Sequence, residues 1–241
     1  MPPRKQIFQG ILIGDSEVGK SQICNRFCND KFSEEINPTF AGNFCCKTLD
    51  NDLIQLFDIA GDETFSSSSA AATPLNKEPH FVLIVCSFDR EESLAKIKEL
   101  YCKQVKKRAP DTLCMVVINK SDIPDSDKKF SHKDVDLLIK SEFLSAEEKG
   151  RGFNLDLVRE TAAQVSAKTT PDQVTDLFRE VIDAVKKQQN NKEKEKEKEK
   201  EEVKDEEEKK TELVFDAKLA PKIGDLQQKE TKRNYYGFKS E

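Results

Sequence analysis

The chain has 241 residues, more than one typical domain and fewer than two. It is 36% hydrophobic and 35% charged, with a formal net charge of −5. The acidic balance argues against a nucleic-acid backbone as partner. The longest purely apolar stretch, Phe81–Cys86, is far below the ~18 residues that a membrane-spanning helix needs.

Gln6 to Ile13 is an apolar run ending in glycine and predicts a buried strand. From Lys20 to Asn29 the pattern turns helical, with Ile23, Cys24 and Phe27 on one side. Asn43–Leu49 and Asp52–Ile59 predict two strands joined by the turn Asp50-Asn51. His80–Ser87 is apolar nearly throughout, as in the middle of a parallel sheet covered on both faces. Asp89 and Glu92 predict a capping box ahead of a helix carrying Leu94, Ile97, Tyr101 and Val105. Thr112–Ile118 is another apolar strand. Ser131 opens a helix with Val135, Leu138, Ile139 and Phe143, and Thr161–Ser166 is a weak last strand. Thr170-Pro171-Asp172-Gln173 reads as a capping box with Pro at the first helical position. The helix behind it repeats Val174, Leu177, Phe178, Val181, Ile182 and Val185 on one face. Strands alternating with helices predict an α/β domain with a mainly parallel sheet.

Beyond Lys187 the character changes. Residues 192–212 hold 8 lysines and 11 acids and residues 213–241 hold 6 basic and 4 acidic side chains, which leaves 26 basic and 30 acidic residues over 1–191. The Lys-Glu alternation has no apolar face and predicts disorder or a fraying helix. Residues 213–241 regain apolar side chains and read either as a partner-binding peptide or as a solvated tail. The seven cysteines (24, 28, 45, 46, 86, 102, 114) are an odd number. Cys24 and Cys28 share a helical face, but no second pair at zinc spacing follows. All seven read as reduced thiols of a cytosolic protein, mainly filling core or surface.

Gly14-Asp15-Ser16-Glu17-Val18-Gly19-Lys20-Ser21 fits G-x-x-x-x-G-K-[ST] between a strand and a helix, the context that gives this phosphate loop its meaning. Gly14 and Gly19 let the backbone curl so that N–H groups point at phosphate oxygens. The helix N-terminus adds positive potential. Lys20 reaches the β and γ phosphates, and the Ser21 hydroxyl suits Mg²⁺.

Four further motifs follow in order: Pro38-Thr39, Asp58-Ile-Ala-Gly61, Asn119-Lys120-Ser121-Asp122 and Ser166-Ala167-Lys168. With them, the chain from roughly Lys5 to Lys187 resembles a small GTPase of the Ras superfamily, closest to the Rab branch. The resemblance implies a P-loop G domain with a mainly parallel six-stranded sheet and helices on both faces. It implies a tail over 1–5, the G domain over 6–188, a charged linker over 189–212 and a tail over 213–241. GTP and GDP are the implied ligands, with Mg²⁺ held by Ser21, Thr39 and, through water, Asp58. Asp122 would pair with guanine's N1–H and amino group, which adenine lacks. Asn119 would support the loop and guanine N7, the Lys120 stem would lie along the base, and the Ala167 amide would reach O6. Phe32 matches the aromatic lid on the base; a loop-anchoring core Phe is the alternative. Thr39 and the Gly61 amide would sense the γ-phosphate, and the Gln22 amide would follow the α-phosphate. Exchange factors, activating proteins and effectors are the implied partners of a cytoplasmic monomer.

Departures from the family pattern carry their own expectations. Asp62 stands where the family usually has Gln. An ionised carboxylate only accepts hydrogen bonds and faces a charged γ-phosphate, so GTP hydrolysis should be slow. Glu17 occupies a loop position that is commonly small; its side chain either faces solvent or repels phosphate. Thr64–Thr73 is small and polar and should be mobile, and the third member of the Rab aromatic triad, after Phe44 and Phe57, falls on Ala72. The surplus around Ser145–Gly152 reads as a surface-loop insertion. The last cysteine is Cys114, and Pro2 stands where myristoylation needs glycine, so no direct lipid anchor is expected and membrane residence would come through a partner. The rival to a switch is an interaction protein that keeps guanine nucleotide as a structural ligand.

Overall fold

Successive side chains of a strand face opposite sides of the sheet and so sort the core into two layers. The computed structural model describes residues 5–34, 42–59, 78–101, 105, 112–143, 158–194 and 197–198. The six strands are β1 (Ile7–Gly14), β2 (Asn43–Leu49), β3 (Asp52–Asp58), β4 (Phe81–Ser87), β5 (Leu113–Asn119) and β6 (Ala163–Gln164). They form one sheet in the order β2-β3-β1-β4-β5-β6. β2 pairs antiparallel with β3, and every other pairing is parallel. The β2–β3 turn runs through Asp50 and Asn51, both at positive φ (46° and 83°), as a two-residue hairpin of matching twist requires.

On one face Phe8, Leu12, Phe81, Leu83, Val85, Met115 and Val117 meet α1 (Lys20–Asn29) through Ile23 and Phe27, and α4 (residues 171–188) through Leu177 and Phe178. On the other, Ile11, Ile13, Val82, Ile84, Val116 and Ile118 meet α2 (Glu91–Leu100) through Ile97, and α3 (His132–Leu138) through Val135. Every residue of β4 and β5 is buried, which is why both read as unbroken apolar runs. Each fully buried Phe or Ile contributes roughly 1.5–3 kcal/mol. Phe27 stacks 4.0 Å from Phe178, closing the first layer. A π-helical turn, Ile139–Phe143, continues α3 and brings Phe143 to 4.0 Å from Tyr101 in the second.

Two expected helix starts are built differently. Arg90, not Asp89, precedes α2, and no side chain caps it; the Asp89 carboxylate is drawn instead to Lys120, 2.7 Å away. The Thr170 hydroxyl turns back to the Ser166 backbone, donating to its carbonyl and accepting from its amide at 3.0 Å each. Ser131 caps α3 as expected, in a full box with Asp134. The weak last strand keeps only two residues, with a separate bridge from Val158 to Cys114.

The chain divides into two units, Met1–Gln188 and Gln189–Glu241. Of the second, residues 189–194 and 197–198 are described, and they are helical. Thr39, Gly61, Asp62, the stretch 64–73, the insertion at 145–152 and residues 199–241 lie outside the described residues. Among the described residues no helix is long and apolar enough to cross a membrane.

Candidate functional site

β1 delivers the chain to the carboxyl edge of the sheet, and the loop 14–19 turns it into α1. Gly19 precedes that helix at φ 91° with no side-chain cap, so the first-turn N–H groups are not consumed by a capping side chain. A Cβ on Gly19 would lie 2.3 Å from Asn119 Nδ2, and one on Gly14 would lie 2.3 Å from the Val85 carbonyl. Val18 anchors the loop by packing wholly in the first core layer.

Lys20 is buried, and its Nζ donates to the carbonyls of Asp15 (2.7 Å) and Gly14 (3.1 Å). Burial lowers its pKa, while the nearby Asp58 and Asp15 carboxylates oppose that shift. The loop's two extra acids are each matched by a cation. Asp15, buried, accepts from the Ser16 amide and pairs with Lys96 at 2.8 Å. Glu17 faces solvent, the first of its two expected outcomes, and pairs with Arg90 at 2.5 Å.

The Ser21 hydroxyl donates to Asp58 Oδ2 at 2.5 Å. This hydroxyl and carboxylate are hard oxygen donors at the rim of a cavity of about 360 Å³, which Gln22, Ser33, Phe44 and Cys45 also line. Among the described residues no group of three or more His, Cys, Asp or Glu is placed to hold a metal. Such a sparse oxygen set fits Mg²⁺, which takes one or two protein ligands and fills its octahedron with phosphate and water. Gln22 Oε1 accepts from the Ser33 amide at 3.1 Å. Phe32 is half-buried against the first core layer, so its packing matches the loop-anchor alternative. Phe44, 55% exposed, lies 5.0 Å from Phe57.

The loops after β5 and β6 close the other end. Asn119 Nδ2 donates to the Val18 carbonyl (2.9 Å), and its Oδ1 accepts from the Ala167 amide (3.2 Å). That amide, expected to face a base, is therefore engaged by Asn119. Lys120 sits at φ 60° and pairs with Asp89. Asp122 accepts from the Ser166 hydroxyl at 2.6 Å. Lys168 pairs with Glu34 at 2.9 Å, both exposed.

Three contributors were not singled out from the sequence, Arg26, Arg90 and Lys96, and Asp89 was expected only as a helix cap. Arg26 Nε donates to the Ala167 carbonyl (2.8 Å) and its Nη2 to that of Lys168 (3.2 Å). Its only sequence signal was a long cation on the polar side of α1, which many helices carry.

Comparison with known proteins places the chain. The sequence model of the Ras family matches residues 9–187. The Ypt/Rab-type GTPase YPT7 of Saccharomyces cerevisiae is 31% identical over 144 residues, 57% of this chain and 69% of that protein. The Ras-related protein Rab7 of Gossypium hirsutum is 28% identical over 183 residues, 70% and 86% of the two chains. Human Ras-related protein Rab-31 is 33% identical over 119 residues, 47% and 59%.

Proposed function

Since the chain belongs to the Ras family and its relatives are Rab-type GTPases, we propose that it is a GTP/GDP switch that hydrolyses GTP slowly. What supports the reading is the convergence of Gly14–Ser21, Asn119–Asp122 and Ser166–Lys168 at one edge of the sheet, stitched together by Asn119. In this reading the loop amides and Lys20 hold the β and γ phosphates, and Asp122, oriented by Ser166, selects guanine. Gly14, Asp15, Ser16, Glu17, Val18 and Gly19 form the backbone cradle, with Lys120 and Lys168 flanking the base. Ser21, Thr39 and, through water, Asp58 would hold Mg²⁺, which when bound would supply charge neutralisation to the phosphates.

Hydrolysis joins a water oxygen to the γ-phosphorus and breaks its bond to the β–γ bridging oxygen, leaving GDP and phosphate. Lys20 and the loop amides stabilise the charge that gathers on that bridge. Asp62 cannot donate to the attacking water as a Gln amide would, and it opposes the phosphate charge. Thr39 and Gly61 would order their segments only around GTP. Exchange factors, activating proteins and effectors are the partners this cycle needs, and vesicle trafficking is the setting that the Rab-type relatives point to. Asp62 also favours a second reading, a guanine-nucleotide-bound interaction protein that does not switch. Equal recovery of partners by GDP- and GTP-loaded protein would select it.

Calorimetry with Mg²⁺ should register GDP and GTP and not ATP; the opposite pattern defeats the reading. In single-turnover assays Asp62→Gln should hydrolyse GTP about tenfold faster than the wild type, ~1.4 kcal/mol of barrier. Equal rates would remove Asp62 from the account.

A further inference from the structure

Strand β2 turns alternate side chains inward, and two of these, Cys45 and Lys47, meet the end of α1. Lys47 Nζ donates to the Phe27 carbonyl at 2.7 Å and lies 5.1 Å from the centre of the Phe27 ring. This polar clamp sets the strand against the last turn of the helix. Two positions earlier, Cys45 Sγ comes to 2.7 Å from Cys28 Sγ and 3.9 Å from the Cys24 carbonyl. Cys28 and Cys45 are both half-buried, and Cys45 lines the cavity of about 360 Å³ beside Cys24. The other described thiols differ: Cys86 and Cys114 are buried in the opposite core layer, and Cys46 is exposed, next to Cys45 in sequence. Neither motif nor fold accounts for a thiol pair at this spot.

We propose that Cys28 and Cys45 are a redox modification site, which a hydroperoxide converts into a reversible intramolecular disulfide tying α1 to β2. The Cys45 sulfur attacks the terminal peroxide oxygen. An S–O bond forms, the O–O bond breaks, and the alcohol (water, for hydrogen peroxide) leaves with a proton. The Cys28 sulfur then attacks the sulfenic sulfur of Cys45; the S–S bond forms, the S–O bond breaks and water leaves. Two thiols are oxidised, one peroxide is reduced, and a dithiol reverses the bridge by exchange. Cys45 is the first nucleophile because hydrogen bonds from Cys24 and Cys28 hold its thiol well below the usual range. Hydrogen bonding to Cys45 and burial push the Cys28 thiol up, so it acts second, at a sulfur already within reach. The bridge needs no nucleotide.

Full-length reduced protein is treated with hydrogen peroxide, alkylated with iodoacetamide and mapped by mass spectrometry. The expected product has lost two hydrogens, has two fewer alkylated cysteines and yields a Cys28–Cys45 linked peptide that dithiothreitol removes. Cys46→Ser should keep the bridge. Cys28→Ser should abolish it and leave a Cys45 sulfenic acid that dimedone labels. Cys28 and Cys45 both alkylated after peroxide, a Cys24–Cys45 link in the wild type, or a dimer through Cys46 in its place would overturn the proposal. The wild-type map decides alone, whether or not a variant folds.

Discussion

His80, just ahead of β4, shows how one side chain can make stability depend on pH. Its Nδ1 accepts from the Gln9 amide at 3.0 Å, and its ring meets Phe8 edge-on at 5.6 Å. Only the neutral ring accepts there, and burial holds the His80 pKa below its ordinary value of 6.5. The unfolded chain therefore takes up this proton first. The contribution is fully present above pH 6.5 and is lost as pH falls toward the folded-state value. In His80→Asn an amide oxygen takes the acceptor position at any pH. The urea midpoint of the wild type should fall relative to that of His80→Asn as pH drops from about 7 to about 5. Parallel profiles would show that His80 is not the group responsible.

At the scale of elements, the site is a set of strand-end loops held in register by single polar side chains. Asn119 closes β5 and joins the loop after β1 to the loop after β6. Asn119→Ala would strip partners from two backbone groups, the Val18 carbonyl and the Ala167 amide. The loss should cost about 2–4 kcal/mol in urea unfolding, because buried groups left unpaired cost more than a hydrogen bond gains. A cost under about 0.5 kcal/mol would mean that water replaces the amide. Such ties also mark where sequence reading stopped. β1, β4, β5, α1 and the apolar face of α4 were legible because a strand covered on both faces writes an apolar run, and a helix packed on one side an apolar face, into the residues themselves. The segments 14–21, 119–122 and 166–168 stood out because the motifs they fit set residue types at short spacing, and the structure brings them to one end of the sheet. The Asp89 cap failed because Lys120, 31 residues away, outbids a local backbone amide for the carboxylate. The same blindness to distance hid the cations that face Asp15 and Glu17, and the meeting of Cys28 with Cys45 across 17 residues.

At the scale of the whole molecule, the described core lies in the first unit. Among the described residues, both core layers are built from residues between Phe8 and Val185, all within the first unit. A chain ending at Gln188 should keep the urea midpoint, the m-value and the guanine-nucleotide affinity of the full chain. A loss of more than about 1 kcal/mol would assign the charged segment a part in folding. The lysine–glutamate stretch has no apolar face to bury, so its free energy stays with water.

Helix α1 carries Lys20 and Ser21 at its start, and Arg26, five residues beyond Ser21, grips the carbonyls of Ala167 and Lys168. At 1.5 Å per residue, those grips are about 7–8 Å apart along the axis. The helix is thus a ruler, fixing by its pitch how far the loop after β1 stands from the loop after β6. One inserted residue would lengthen it by only ~1.5 Å but swing Arg26 through roughly 100°, leaving both ends intact and out of alignment.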